Sequence, residues 1–550
     1  MQSVAYGFYT GFFLSCSWPL FLRFGNGSSV ALIAFSLHSK GIKVARTTTE
    51  AELKKLSKSR RKSVQCTALL IIMRLLMSQI SFTAKLTYGM GSVPYAVKDA
   101  AFSAFVMLYY TQVLGLSGSL TGLAIFISVL WDTVSDPMVG AWSDRLKTRW
   151  GRRHPMLVVG AIPLGLSFVM LFQPLESVQG TQTALFFWLL VAVLSVRTFL
   201  TVFIIPHTAM GAELTDDYLE RTSVVNFRTN LGWIFGVSLP AIALTVLFNP
   251  VDGVDGRFVV DNYYRYGWAS FIVVVAAAAI CIIGSRQFIP RLKEVAARAN
   301  PSPGFKGMVG DILETLQNMD FRRIMILEIA VGATMGIQGA LNMIAWTYFW
   351  GLSVGEVSMV LFASLPAVAL MFPAMKWMAQ RWEKQTLLRC AVLGLVINTA
   401  WFVPGRLLGI LPENGTSFLF VLIFMQAMLG TAFTILRTVN LHSILADIAD
   451  EHELKTGRRQ EGVFFAAAAF AVKFVMGFGY IIGGPLLDYV GLAGVAPEDA
   501  SSEALFGIGV FMGPVMLLFL LVPWWMAMRL QVSQQRLNQV QSQLNARNDS

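Results

Sequence analysis

At 550 residues, with 55% hydrophobic and 14% charged side chains, the chain carries more apolar surface than a water-soluble core can hide. A net charge of +11 would suit a nucleic-acid partner in a soluble protein, but the basic residues sit in loops between apolar runs, which excludes nucleic acid in favour of a bilayer. The four cysteines, Cys16, Cys66, Cys281 and Cys390, have no paired spacing, so we expect buried, inert thiols rather than disulfides or a metal cluster.

Residues 1–84 read as an N-terminal extension. Its apolar stretch, Val4 to Leu22, is interrupted by polar residues and precedes a basic segment, Lys54 to Lys62. It lacks the basic start and small-residue cleavage site of a secretory signal. A peripheral or additional helix is one reading; the preferred one is a true start at Met73 or Met77, just before the first span.

Twelve apolar segments of spanning length follow, at about 87–113, 118–142, 155–174, 184–210, 224–249, 266–288, 322–350, 353–378, 386–404, 416–445, 462–490 and 505–528. They predict an all-α membrane protein with two six-helix bundles, 85–289 and 322–529, joined by a polar linker, 290–321, and ending in a polar tail, 530–550. Arginines and lysines concentrate after even-numbered spans, as in Arg145, Lys147, Arg149, Arg152 and Arg153, which places both ends of the helical body in the cytoplasm.

Ionisable groups inside spans are costly, about 2.5–3.5 kcal/mol each at the bilayer centre, and so mark function. They are Asp99, Asp132, Asp136, Arg197, Glu328, Arg437 and Lys473. Asp132 and Asp136, four residues apart, share one helical face and are expected to take a single small cation, a sodium ion or a proton. The alternative is structural, with Asp132 held by Lys473 and Asp136 capping the helix end. Pro137 follows and should bend the helix. Lys473, in an otherwise apolar run, needs Asp99, Asp132 or Asp136 as a partner.

The connection after the second span reads Gly140, then Asp144-Arg145, then Arg152-Arg153: a glycine for close helix approach, an acid at the helix end and a basic cluster beyond. An internal echo supports two related halves. Glu213 and Asp216 followed by Arg221 match Asp447 and Asp450 followed by Lys455, while Pro373 and Arg381 repeat Pro137 and Arg145. Acids and bases at these ends are candidates for a cytoplasmic gate, or else ordinary solvated helix termini.

These segments, with LTYGMGSVPYAVKDAAF, YYTQVLGLS and ADIADEHELKTGRRQEGVFFAAAAFAVK, resemble the glycoside-pentoside-hexuronide:cation symporters of the major facilitator superfamily, from about Lys85 to Arg529. The resemblance implies pseudo-symmetric six-helix bundles, cation binding at Asp132 and Asp136, sugar contact at Asp99, and a polar network through Lys473. It implies an inner-membrane monomer with no cofactor beyond its coupling ion, sodium or proton, and a glycoside as small-molecule substrate. The family's helix 4 aspartate and tryptophan are absent from the segment around His207, which leaves a lysolipid or other amphiphile as the alternative substrate. His207 and Trp346 are the remaining candidate substrate contacts, Trp346 by stacking on a sugar ring or simply as an interfacial aromatic. A magnesium-dependent prenyltransferase lacks the second acidic motif it would need, and a sensor lacks a signalling domain.

Overall fold

The computed structural model describes residues 80–298, 314–456, 461–532 and 534–548. The expectations for the extension before residue 80, with Cys16, Cys66 and the start methionines, and for the middle of the linker lie outside these residues. Among the described residues all regular structure is helical and none is strand.

Eleven helices among the described residues are long and apolar enough to cross a bilayer. In chain order they are α2 (Gly118–Arg145), α3 (His154–Phe172), α4 (Gln182–Glu213), α5 (Tyr218–Leu247), α6 (Val260–Ser285), α7 (Met319–Ile344), α8 (Val354–Ala379), α9 (Lys384–Leu407), α10 (Ser417–Thr456), α11 (Glu461–Tyr489) and α12 (Ser502–Arg529). The first predicted span is a broken run, α1, over 82–113. A 3₁₀ turn at Met90–Ser92 precedes Pro94, which has no amide proton to donate, and π turns occupy Ala101–Val106 and Tyr109–Val113. A last helix, α13 (Gln534–Asn548), forms the tail. It is less uniformly solvated than its polar composition suggests, because Leu537 and Val540 are buried and Arg536 bonds Glu451 at 2.5 Å.

The chain divides into two compact units. In the smaller, Met1–Lys85 with Thr215–Ser223, Lys85 Nζ bonds Glu220 at 2.9 Å and Arg221 donates to the Thr215 carbonyl at 3.3 Å. The larger unit, Leu86–Leu214 with Val224–Ser550, holds nearly all of the helical body.

Within the larger unit the first-half and second-half helices share one apolar core, with α11 packed against both α2 and α7. Glycine permits the closest contact: a Cβ on Gly122 would run into the Tyr480 carbonyl oxygen, and one on Gly484 into that of Gly118. The residue picked from sequence for close approach, Gly140, has ordinary room instead: a Cβ there would find its nearest neighbour, the Ile205 side chain, at 3.7 Å. Cys390 departs from expectation too. It is exposed, because Leu387, Leu388 and Ala391 take the inward face of α9, whereas Cys281 is buried.

The two halves repeat one corner. At the end of α1 the Thr111 hydroxyl bonds the Met107 carbonyl, Gly115 turns the chain with φ 69°, and Ser117 caps α2. At the end of α7 Thr347 bonds Met343, Gly351 turns with φ 60°, and Ser353 caps α8. Positive φ is the reason for glycine at both turns. This end of the body is stapled across the halves. The Asp488 carboxylate on α11 accepts from the Gly118 and Ser119 amides at 2.6 and 2.8 Å and from the Ser119 hydroxyl at 2.5 Å. Arg257 donates to Thr347 and to the Leu352 carbonyl, each at 2.8 Å, and Gly494 N donates to Thr111 O at 3.0 Å.

Candidate functional site

Helix α2 carries Asp132 and Asp136 on the side it turns toward α4 and α11. Three side-chain bonds stitch α2 to α4 in sequence. Trp131 Nε1 donates to Thr198 Oγ1 at 2.8 Å, Arg197 binds Asp132, and Thr201 Oγ1 donates to Asp136 at 2.9 Å. The periodicity of α4 makes this possible, since 197, 198 and 201 fall on one stripe.

The two carboxylates therefore have different cations. Asp132 and Arg197 are both buried, and the guanidinium lies 5.0 Å from the Phe102 ring. Asp136 instead meets Lys473 of α11, Nζ to Oδ2 at 3.1 Å, with Asp136 24% and Lys473 47% exposed by side chain. An ammonium so exposed within a spanning segment is tolerable only at a water-filled cavity or a polar partner. In this conformation each of the two acids has its own resident base. The alternative in which Lys473 holds Asp132 is corrected, because Lys473 pairs with Asp136.

Asp99 on α1 is half-exposed and bonded to its buried neighbour Lys98, whose ammonium lies 4.3 Å from the Tyr95 ring centroid. The Tyr95 ring thus lies against the Lys98–Asp99 pair. Among the described residues no group of three or more His, Cys, Asp or Glu side chains is placed to hold a metal.

Two predicted substrate contacts lie elsewhere. His207 is fully buried between α4 and α1, its Nε2 2.9 Å from the Tyr88 carbonyl and its ring stacked on that of Tyr88 at 4.6 Å. Such packing gives it a structural place and no open face. Trp346 sits half-buried in the π turn after α7, at the stapled end and beside Thr347, which holds Arg257.

The charged termini pair inside each half. Arg153 bonds Asp144 at 2.8 Å and Glu213 at 2.5 Å; Arg152 bonds Glu213 at 2.9 Å. In the second half Lys384 bonds Asp447 at 2.7 Å and Lys455 bonds Glu451 at 2.7 Å. In both halves a base at the start of the third helix thus meets an acid near the end of the fourth. Arg145 is exposed. A further buried pair, Glu328 with Arg437, joins α7 to α10.

Sequence reading named Arg197 as an intramembrane charge without giving it a role, and missed Tyr95, Lys98 and Thr201. Arg197 was findable from its apolar setting, LSVRTFLTVF, but its partner depends on how α4 rotates against α2.

The family model described as MFS/sugar transport protein matches residues 87–534. The inner membrane symporter YicJ of Escherichia coli is 26% identical, the match covering 81% of this chain and 89% of that one. The sodium-dependent lysophosphatidylcholine symporter 1-A of Danio rerio is 22% identical over 85% of this chain and 89% of its own. Among solved structures, the xylose transporter XylE from E. coli in an inward open conformation matches 79% of this chain and 95% of its own with a TM-score of 0.53 at 13% identity, a likeness of fold.

Proposed function

Because the chain belongs to the MFS/sugar transport protein family and is a multi-pass membrane transporter rather than an enzyme, we propose that it carries a glycoside by cation-coupled symport. The observation that supports this most is the Asp136–Lys473 bond, which ties a carboxylate of the first half to an ammonium of the second at a partly open centre. A sodium ion or proton taken up at Asp136 frees Lys473, weakens that tie and lets the halves rock about a substrate held between them. Asp99, Tyr95 and Lys473 are the side chains we assign to the substrate. With a cation and no substrate the liberated ammonium is left unbalanced in a closing, low-dielectric cavity, so the loaded or empty carrier reorients in preference to the half-filled one. We read the helical body as the two six-helix halves expected from sequence, monomeric in a bacterial-type inner membrane, with the stapled end outside and both ends of the body in the cytoplasm.

The test is uptake into proteoliposomes of labelled disaccharides and, separately, of labelled lysophosphatidylcholine, with and without inward sodium or proton gradients. Accumulation of a disaccharide that collapses with the gradient supports the proposal. Gradient-driven accumulation of lysophosphatidylcholine alone favours the amphiphile reading, for which the zebrafish relative is the specific reason. Equal uptake of every probe with and without gradients contradicts both.

A further inference from the structure

We propose that Arg197 is a resident counter-ion that takes Asp132 out of cation exchange, so that Asp136 alone trades partners and one coupling cation enters per cycle. The inference rests on the symport reading above and specifies how its acidic pair works.

Three observations carry it. The first is which helices each bond joins. Asp132 on α2 and Arg197 on α4 belong to one half and are flanked by the Trp131–Thr198 and Asp136–Thr201 bonds, so α2 and α4 travel together and their charge pair need never part. Asp136 and Lys473 belong to different halves, and rocking of one half against the other shears this bond.

The second is access. Arg197 and Asp132 are 6% and 13% exposed by side chain, against 47% and 24% for Lys473 and Asp136. An incoming hydrated cation meets the open pair, whereas reaching Asp132 would mean stripping a buried guanidinium of its counter-charge.

The third is charge. Asp132 and Asp136 with Arg197 and Lys473 sum to zero. A cation at Asp136 is compensated by the release of Lys473 toward substrate or water, but Arg197, roofed by Phe102, has no comparable exit. The second half repeats the principle in Glu328 and Arg437, a buried carboxylate–guanidinium pair within one half, whereas the carboxylate–base pair that joins the halves at this centre uses lysine. A compact, mobile ammonium suits a partner that must let go; a planar, permanently charged guanidinium suits one that must not.

The experiment needs no substrate. Full-length protein in proteoliposomes on a solid-supported membrane is given a NaCl jump at constant ionic strength, or a pH jump, and the displaced charge is recorded. Wild type gives a transient with one of the two cations, and Asp136→Asn abolishes it. Asp132→Asn or Arg197→Gln alone strands a buried charge, and each is expected to cut the amplitude or shift its midpoint by about 100-fold. The Asp132→Asn/Arg197→Gln double variant, neutral again, is expected to restore a midpoint within about threefold of wild type. A double variant that inserts and elutes as wild type yet gives no transient overturns the inference and leaves the symport reading standing, since Asp132 would then be an exchanging ligand. If the double variant does not insert, Arg197→Lys decides: a wild-type midpoint supports a fixed counter-ion, and a second displaced charge overturns it. Absence of any transient from wild type with either cation overturns the symport reading and this inference together.

Discussion

A buried carboxylate that loses its guanidinium keeps the whole desolvation penalty and none of the attraction that offset it. Glu328 is in that position. Arg437→Met should destabilise the protein by about 3–5 kcal/mol, while Glu328→Gln with Arg437→Met should recover most of the loss, as read by thermal unfolding in detergent. Full loss in the double variant would mean that the pair contributes something other than mutual neutralisation. At this scale the sequence showed which residues are charged inside the bilayer, because apolar context alone makes Asp132, Asp136, Arg197, Glu328, Arg437 and Lys473 conspicuous. It could not show who meets whom. Asp132 faces Arg197 rather than Lys473 because of helix rotation and depth, which no spacing within a single helix encodes. His207 misled for a related reason: its place near a helix end resembles a crevice position, yet Tyr88 closes over it.

Between elements, glycine reports contact only where the neighbour is unyielding. Beside Gly122 stands a backbone carbonyl, that of Tyr480, and beside Gly140 a flexible isoleucine at ordinary distance. Gly122→Ala should therefore lower stability by about 1–3 kcal/mol by prising α2 from α11. Gly140→Ala should be neutral, or stabilising by a few tenths up to about 1 kcal/mol, through helix propensity. Thermal unfolding of the two variants side by side checks the contrast, and equal effects would refute it. The helices themselves were legible from apolar length; their starts are set by Ser117, Thr181, Asn318, Ser353 and Ser501, whose side chains accept from the first turn and which apolar length does not mark. The breaks in α1 were not, since the π turns depend on packing that sequence periodicity averages away.

Across the whole molecule, the staple at Asp488 joins the halves through two backbone amides and a hydroxyl. Asp488→Asn keeps the shape but halves the acceptors. It should favour states in which this end parts, by about 1–2 kcal/mol or roughly tenfold in population. Alkylation of a cysteine placed at Thr111, which is fully buried, reads the change: faster labelling in the Asp488→Asn background is expected, and an unchanged rate would show that the glycine contacts hold this end closed unaided. The parallel relation of the halves was partly legible, through Glu213 and Asp447 and through Pro137 and Pro373. The clearer signal, MLYYTQVLGLS against MIAWTYFWGLS, became visible once the two corners were seen to share the same hydrogen bonds.

That shared corner has a consequence for how force enters the molecule. Counting onward from it, the places of Asp132 and Asp136 in the first repeat are taken in the second by Val368 and Phe372. The duplicated scaffold is even-handed, but its voltage is wired to one side. Lys473 reaches across from the unwired side as a follower, so an ion arriving at the wired side acts on its twin through that ammonium, and the pair must swing like a gate hung on one post rather than open like two matched doors.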